Sequence, residues 1–423
     1  MIDTLIRPRA CDPNRPASDT KLHAFDAVRG LAALGVVLHH FLQAFLPGIY
    51  GAPLNPFIRV SYEGAFHVRV FFVLSGFVLS LSYFRKHRLE TLRSLAVRRY
   101  FRFFAPVAAS ILFAYALLAT GLFFNEQCGR LIGLSPNTWM WLTYRFLPDF
   151  LEACKQIVWS TYFDFSSQKS YNVVLWTMGL ELKGSFLVIA FLALFGELRH
   201  RWLVYLVLCV LFHQTLGGLG SIYCCFLVGV ALCDLYAIGF HLKDATAITL
   251  VVAGLGLGGV VPGWLAKRGI SLTEEGRLEC FCIGACLLLA GVAASPTVQR
   301  WLSLRPLVFL GKISFPLYLV HVPILFSASA GSYCLFHSSL GRFGATTVAA
   351  FVTLTASLLL SWLGSLTLES FAIWSGRVVE NWLSRPATPR ESHADAPLPN
   401  DERDNLLPDL ERDRSPSIAQ PGA

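Results

Sequence analysis

FDAVRGLAALGVVLHHFLQAFL, residues 25–46, is the stretch on which the reading of this chain turns. Its apolar run is long enough to cross a bilayer as a helix, and it carries one arginine and two adjacent histidines. Arg29 and His40 are 11 positions apart, or about three turns at roughly 3.6 residues per turn. They therefore share a helix face, about 16 Å apart along the axis. His39 points to a different face. Ionisable groups inside a membrane span are costly and mark pathways or sites.

The rest of the chain has the same character. Of 423 residues, 54% are hydrophobic and 15% charged, against about 25% charged in soluble domains; the mean hydropathy is +0.54. This composition excludes a soluble multidomain enzyme and predicts a polytopic membrane protein. The net charge of +8 lies in loops between apolar runs, where it sets topology, so nucleic acid is not expected as a partner. Residues 1–24 are polar, with Pro8, Pro13 and Pro16, and do not read as a signal peptide; the first span itself targets the chain. Most of the 11 cysteines lie in apolar runs (Cys209, Cys224, Cys225, Cys233, Cys280, Cys282, Cys286) and act there as small hydrophobes. No paired CxxC supports zinc, and no metal is expected. Cys128 and Cys154 share one long connection, and whether they form a disulfide is open.

The fold class expected is an all-α integral-membrane bundle of about ten transmembrane helices, both termini cytoplasmic. The spans read as 25–46, 65–84, 104–124, 173–195, 201–217, 220–238, 245–265, 278–295, 307–329 and 343–370. Arg85, Lys86, Arg88, Arg93, Arg98, Arg99 and Arg102 face only Glu90 in the second connection, which places it in the cytoplasm. Four regions follow: a cytoplasmic segment 1–24, a transmembrane domain 25–370, an amphipathic helix 371–384 and a disordered cytoplasmic tail 385–423. The tail contains Glu402-Arg403-Asp404-Asn405-Leu406-Leu407, an acidic-dileucine pattern that is frequent by chance. The connection 125–172 is aromatic-rich (Trp139, Trp141, Tyr144, Trp159, Tyr162) and is expected outside, along the interface or capping a cavity.

Four polar sets interrupt the apolar helices: Asp26, Arg29 and His40; His67, Arg69 and Ser75 before Gly76; Trp176, Glu181 and Lys183; and Lys312, Ser314, Tyr318 and His321. Each alone has a plain explanation. A single His321 can hydrogen-bond across helices; Glu181 and Lys183, two apart, do not share a face; Lys312 and Arg69 can snorkel; Ser75-Gly76 can permit close packing. Together they favour a site. Counting residues inward from each face places His40, Glu181 and His321 at one level, so the two imidazoles and the carboxylate are expected to meet, with Arg29 nearer the basic connection.

These residues resemble the acyltransferase-3 family of membrane O-acyltransferases. RGLAALGVVLHHF looks like the family's first-helix signature, falling on Arg29 and His40. FFVLSGF looks like the second-helix signature, and RRYFRFFAP like the basic stretch entering the third helix. LWTMGLELKGSF resembles the Trp-to-Glu motif with Trp176 and Glu181, and LGKISFPLYLVHVP the late motif ending in His321. Five motifs in the family's order cover most of the membrane region. HVRV, with Arg69, stands where an acid is common, and ELKGSF where EEQFY is common; these departures bear on the acceptor.

The resemblance implies acyl transfer to a hydroxyl. His40 suits the general base, because an imidazole titrates near neutral pH, at about 6.5. Glu181 is expected to accept a proton from its other ring nitrogen and His321 to position the acceptor. Arg29, Arg98, Arg99 and Arg102 are expected to hold the phosphates of coenzyme A, since the guanidinium fork matches phosphate. The function expected is thus movement of an acyl, most simply acetyl, group from cytoplasmic acyl-CoA to a glycan, glycolipid or lipophilic small molecule, in an endomembrane or the plasma membrane. The alternative is a proton-coupled carrier using the same buried set, although no inverted-repeat pattern supports it.

Overall fold

Lipid offers the backbone no hydrogen-bond partner, so the apolar runs are helical throughout. The computed structural model describes residues 19–51, 56–270 and 272–383, and every regular element among them is a helix. The segments 1–18 and 385–423, including the dileucine pattern, lie outside the described residues. Eight of the described helices are long and apolar enough to cross a bilayer. The principal helices are α1 (Asp19–Phe45), α2 (Gly64–Lys86), α3 (Leu89–Ala119), α4 (Trp176–Phe195), α5 (Arg201–Leu216), α6 (Gly218–Ala237), α7 (Asp244–Leu255), α8 (Glu274–Ala294), α9 (Ser314–Ile324) and α10 (Ala330–Leu383).

Three boundaries differ from those expected. The basic run is not a loop: His87 closes α2 in the left-handed conformation, and Leu89 already starts α3. Arginine and leucine are good helix formers, so the charges extend the helix. At 31 residues α3 is about 46 Å long, more than the roughly 30 Å of hydrocarbon needs. Before α9, Arg305–Lys312 forms a separate helix, packed on α1 where Gly30 and Gly311 let the backbones touch. Residues 371–383 are no separate amphipathic helix: they continue α10, whose one non-helical residue is Gly341 at φ +64°. That conformation strains any residue with a Cβ, so the break belongs to the glycine.

The bundle is held at small residues. A Cβ on Gly76 of α2 would come 2.1 Å from the Phe226 carbonyl oxygen of α6, and one on Gly229 would come 2.2 Å from that of Val73. Two glycines facing across one crossing bring the backbones into contact, the usual device where apolar attraction between helices is absent. The α4 and α8 helices each pack against both partners of this crossing.

The segment between α3 and α4 folds as short helices, Asn125–Ile132, Trp139–Leu142 and Phe150–Lys155 among them. Buried Asn125 ties two of them, its amide donating to the carbonyls of Met140 (2.8 Å) and Thr143 (2.9 Å). The Phe124 amide donates to the Phe326 carbonyl at 2.8 Å, which fastens this cap to the stretch joining α9 and α10. Cys128 and Cys154 are both free thiols; the partner of Cys128 is Cys334 of α10.

Candidate active site

His40 and His321 meet. His321, 1% exposed, presents Nε2 to His40 Nδ1 at 2.9 Å, with ring centroids 5.0 Å apart. The partners assign the protons. His321 Nδ1 lies 3.2 Å from the Leu317 carbonyl, which can only accept, so Nδ1 carries the hydrogen. In a neutral ring Nε2 is then bare and accepts from His40 Nδ1–H. This leaves His40 Nε2 as a free lone pair at the end of a chain of two imidazoles and a backbone carbonyl.

Aromatic rings enclose the pair. The Trp139 indole lies over His40 with centroids 5.1 Å apart and over Phe326 at 4.7 Å, so the cap reaches into the bundle at the histidines. His39 stands edge-on to His40 at 5.0 Å, its Nδ1 lying 3.1 Å from both the Gly64 amide nitrogen and the Tyr62 carbonyl oxygen. Below His321, the Tyr318 hydroxyl donates to the Val174 carbonyl at 2.7 Å and lies 2.9 Å from Thr177 Oγ1. Asn172, fully buried, donates to Ser110 Oγ (2.7 Å) and to the Leu319 carbonyl (2.6 Å), which locks α9 against α3.

Glu181 does not join the histidines. Its Oε1 accepts from Arg99 Nη2 at 2.5 Å and from the Ser75 hydroxyl, while Arg99 Nε donates to Ser185 Oγ at 2.7 Å. Arg99 and Glu181 are each about one-tenth exposed. A buried carboxylate needs a charged partner, and the arginine of α3 outcompetes a neutral imidazole. Counting residues gives depth but not direction around the bundle, which is why the expected Glu181–His40 contact is absent.

A cavity of about 520 Å³ opens in the half of the bundle that carries the basic run. Arg29, Arg99, Arg102 and Lys312 line it with Asp26, Glu181 and Ser75, and its apolar wall includes Phe71, Phe103, Pro106 and Phe315. Arg29 is paired to Asp26 at 3.1 Å. Of the expected phosphate-binding arginines, Arg29, Arg99 and Arg102 thus face the cavity. Arg98 does not line it; its Nε meets Glu380 Oε2 at 2.8 Å. The head of the cavity is formed by Thr177, Phe71 and Tyr318. The Tyr318 ring lies 6.0 Å from that of His321, so it separates cavity from histidine pair. Arg69 is buried at 4% exposure, donating to the Ala65 carbonyl at 2.8 Å, rather than snorkelling to the surface.

Several of these residues are visible in the sequence only as types. Trp139 belongs to the aromatic-rich connection, but nothing in its spacing aims it at His40. Asn172 lies outside every motif, and Ser185, although within LWTMGLELKGSF, is not singled out by it. Among the described residues no group of three or more metal-ligating side chains comes together.

Comparison with known proteins shows the family. A family model described as an acyltransferase domain, of the acyltransferase-3 type, matches residues 22–363. O-acetyltransferase PaAT-1 of Phomopsis amygdali is 26% identical over 415 residues, covering 82% of this chain and 80% of its own length. No solved structure matches the chain at a significant level. With eight long apolar helices and a match across four-fifths of its length, the chain belongs to the acyltransferase-3 family and is a multi-pass membrane enzyme that transfers acyl groups.

Proposed function

We propose that this enzyme moves an acetyl group from cytoplasmic acetyl-CoA to a hydroxyl of a glycan, glycolipid or lipophilic small molecule, with His40 as general base. One observation carries the reading: His40, held through Nδ1 by His321, lies across Tyr318 from a cavity lined by Arg29, Arg99, Arg102 and Lys312. A phosphate-bearing donor fits cations at a mouth, and acyl transfer needs a base at the other end.

The steps follow from the proton assignment. The acceptor hydroxyl gives its proton to His40 Nε2 as its oxygen attacks the thioester carbonyl. His40 becomes an imidazolium whose Nδ1–H stays on His321. The carbon–sulfur bond breaks and the leaving thiolate takes the proton from His40, giving free coenzyme A and the ester. His321 thus fills the orienting role the sequence reading gave to Glu181. Glu181 instead holds Arg99 in place in the cavity wall, and Arg29, Arg102 and Lys312 meet the phosphates. Tyr318 must turn aside for the acyl group to reach His40, giving up its hydrogen bond to the Val174 carbonyl.

The orientation belongs to the same proposal. Counting the short apolar α5 as a crossing, and dividing Ser314–Leu383 at Gly341, gives ten spans. Both termini and the basic half of α3 then lie in the cytoplasm, and the cap lies on the far side. The membrane is proposed to be an endomembrane or the plasma membrane. A proton carrier would not explain membership of an acyl-transferring family.

Purified enzyme is expected to release free thiol from acetyl-CoA when given extracts of candidate acceptors. His40→Ala should lower that rate by about 10²–10⁴-fold, the usual contribution of a positioned base, with the protein still inserted. Near wild-type turnover in purified His40→Ala would remove the base from this scheme. Mass spectrometry of glycans and metabolites from cells with and without the protein, searched for a lost acetyl-sized increment, identifies the acceptor.

A further inference from the structure

The cavity wall is completed by residues beyond the matched domain. The family match ends at residue 363, yet Ala372 and Ile373, farther along α10, line the cavity. One turn on, a Cβ on Gly376 would lie 3.3 Å from Arg98 Cβ and Cγ, so this part of α10 rests directly on α3. A further turn on, Glu380 holds Arg98: Oε2 lies 2.8 Å from Nε and Oε1 3.5 Å from Nη2. Arg98 is one helical turn from Arg102, which faces the cavity, and residues four apart share a helix face.

We propose that residues 364–380 form a gate over the donor cavity, latched by Glu380, which competes with the donor's phosphates for Arg98. The chemistry favours exchange. Arginine binds phosphate bidentately, as it does carboxylate, and a phosphate brings more charge. Both partners keep solvent contact, at 41% and 23% side-chain exposure, and exposed ion pairs are weak enough to open readily. The buried Arg99–Glu181 pair on the adjoining face stays closed. An arriving polyanion takes Arg98 from Glu380 and the end of α10 lifts; departure of coenzyme A lets it settle again. The gate rests on the reading of the cavity as the donor site.

The test is equilibrium binding of coenzyme A to purified full-length wild type, Glu380→Gln, Arg98→Ala and the double variant. Glu380→Gln should bind about three- to fivefold more tightly than wild type, in line with the strength of an exposed pair. The gain should vanish when Arg98 is already alanine, which is the coupling signature of direct contact. Glu380→Ala provides a second variant with the same expectation. Amide exchange in residues 372–380 should rise when coenzyme A is added to wild type. Equal affinity in wild type and both Glu380 variants overturns the gate and leaves the donor site standing. Failure of wild type to bind coenzyme A overturns both.

Discussion

At the scale of the residue, the decisive feature is where the protons sit between His40 and His321. A bare nitrogen facing a carbonyl would be repelled, so Leu317 dictates the His321 tautomer and through it that of His40. Removing His321 should therefore impair catalysis without emptying the donor cavity. We expect His321→Ala to lower kcat by about 10²-fold while the KM for acetyl-CoA changes little, by analogy with groups that orient a catalytic base. Added to His40→Ala it should cost almost nothing more, because two groups acting as one unit are not additive. Steady-state kinetics of the single and double variants checks both statements. A full multiplicative loss in the double variant would mean that the histidines act separately.

At the scale of the element, the two halves of FFVLSGF do different work. Ser75 donates to Glu181 in the cavity, while Gly76 brings α2 against α6. Gly76→Val should overpack this crossing, where backbone leaves no room to yield; such insertions cost about 1–3 kcal/mol or more. Thermal unfolding in detergent should show a marked drop in midpoint, with Ser75→Ala close to wild type. This division also shows how far the sequence can be read. Arg29, His40 and His321 stand out because charge and imidazole are rare in apolar helices, and their depth follows from residue counts. The partner of Glu181 does not, since rotation of α3 about its axis decides whether Arg99 or a histidine faces it. The continuation of α10 through 371–383 is hidden for a related reason: an amphipathic stretch signals an interface, not whether the helix before it has ended.

At the scale of the whole molecule, charge is segregated. The basic half of α3, Arg29 and Lys312 gather at one end, and the aromatic cap with Trp139 closes on the histidines from the other. Long-range attraction at the basic mouth is screened by salt. Raising ionic strength from about 0.1 to 1 M shortens the screening length from about 10 to about 3 Å. The KM for acetyl-CoA should then rise several-fold while kcat holds, as initial rates across a salt series would show. A salt-independent KM would point to a donor held by apolar contacts alone.

The cavity's four cations, Arg29, Arg99, Arg102 and Lys312, face two carboxylates, Asp26 and Glu181, leaving a surplus of two positive charges. With coenzyme A as the proposed donor, the spent form carries the same phosphates as the loaded one, so this surplus would grip both alike. Only the acyl end, proposed to reach Tyr318 in the cavity wall, would tell them apart. On the proposed scheme the tension between capture and turnover would be settled at one tyrosine, and accumulated free thiol would slow esterification.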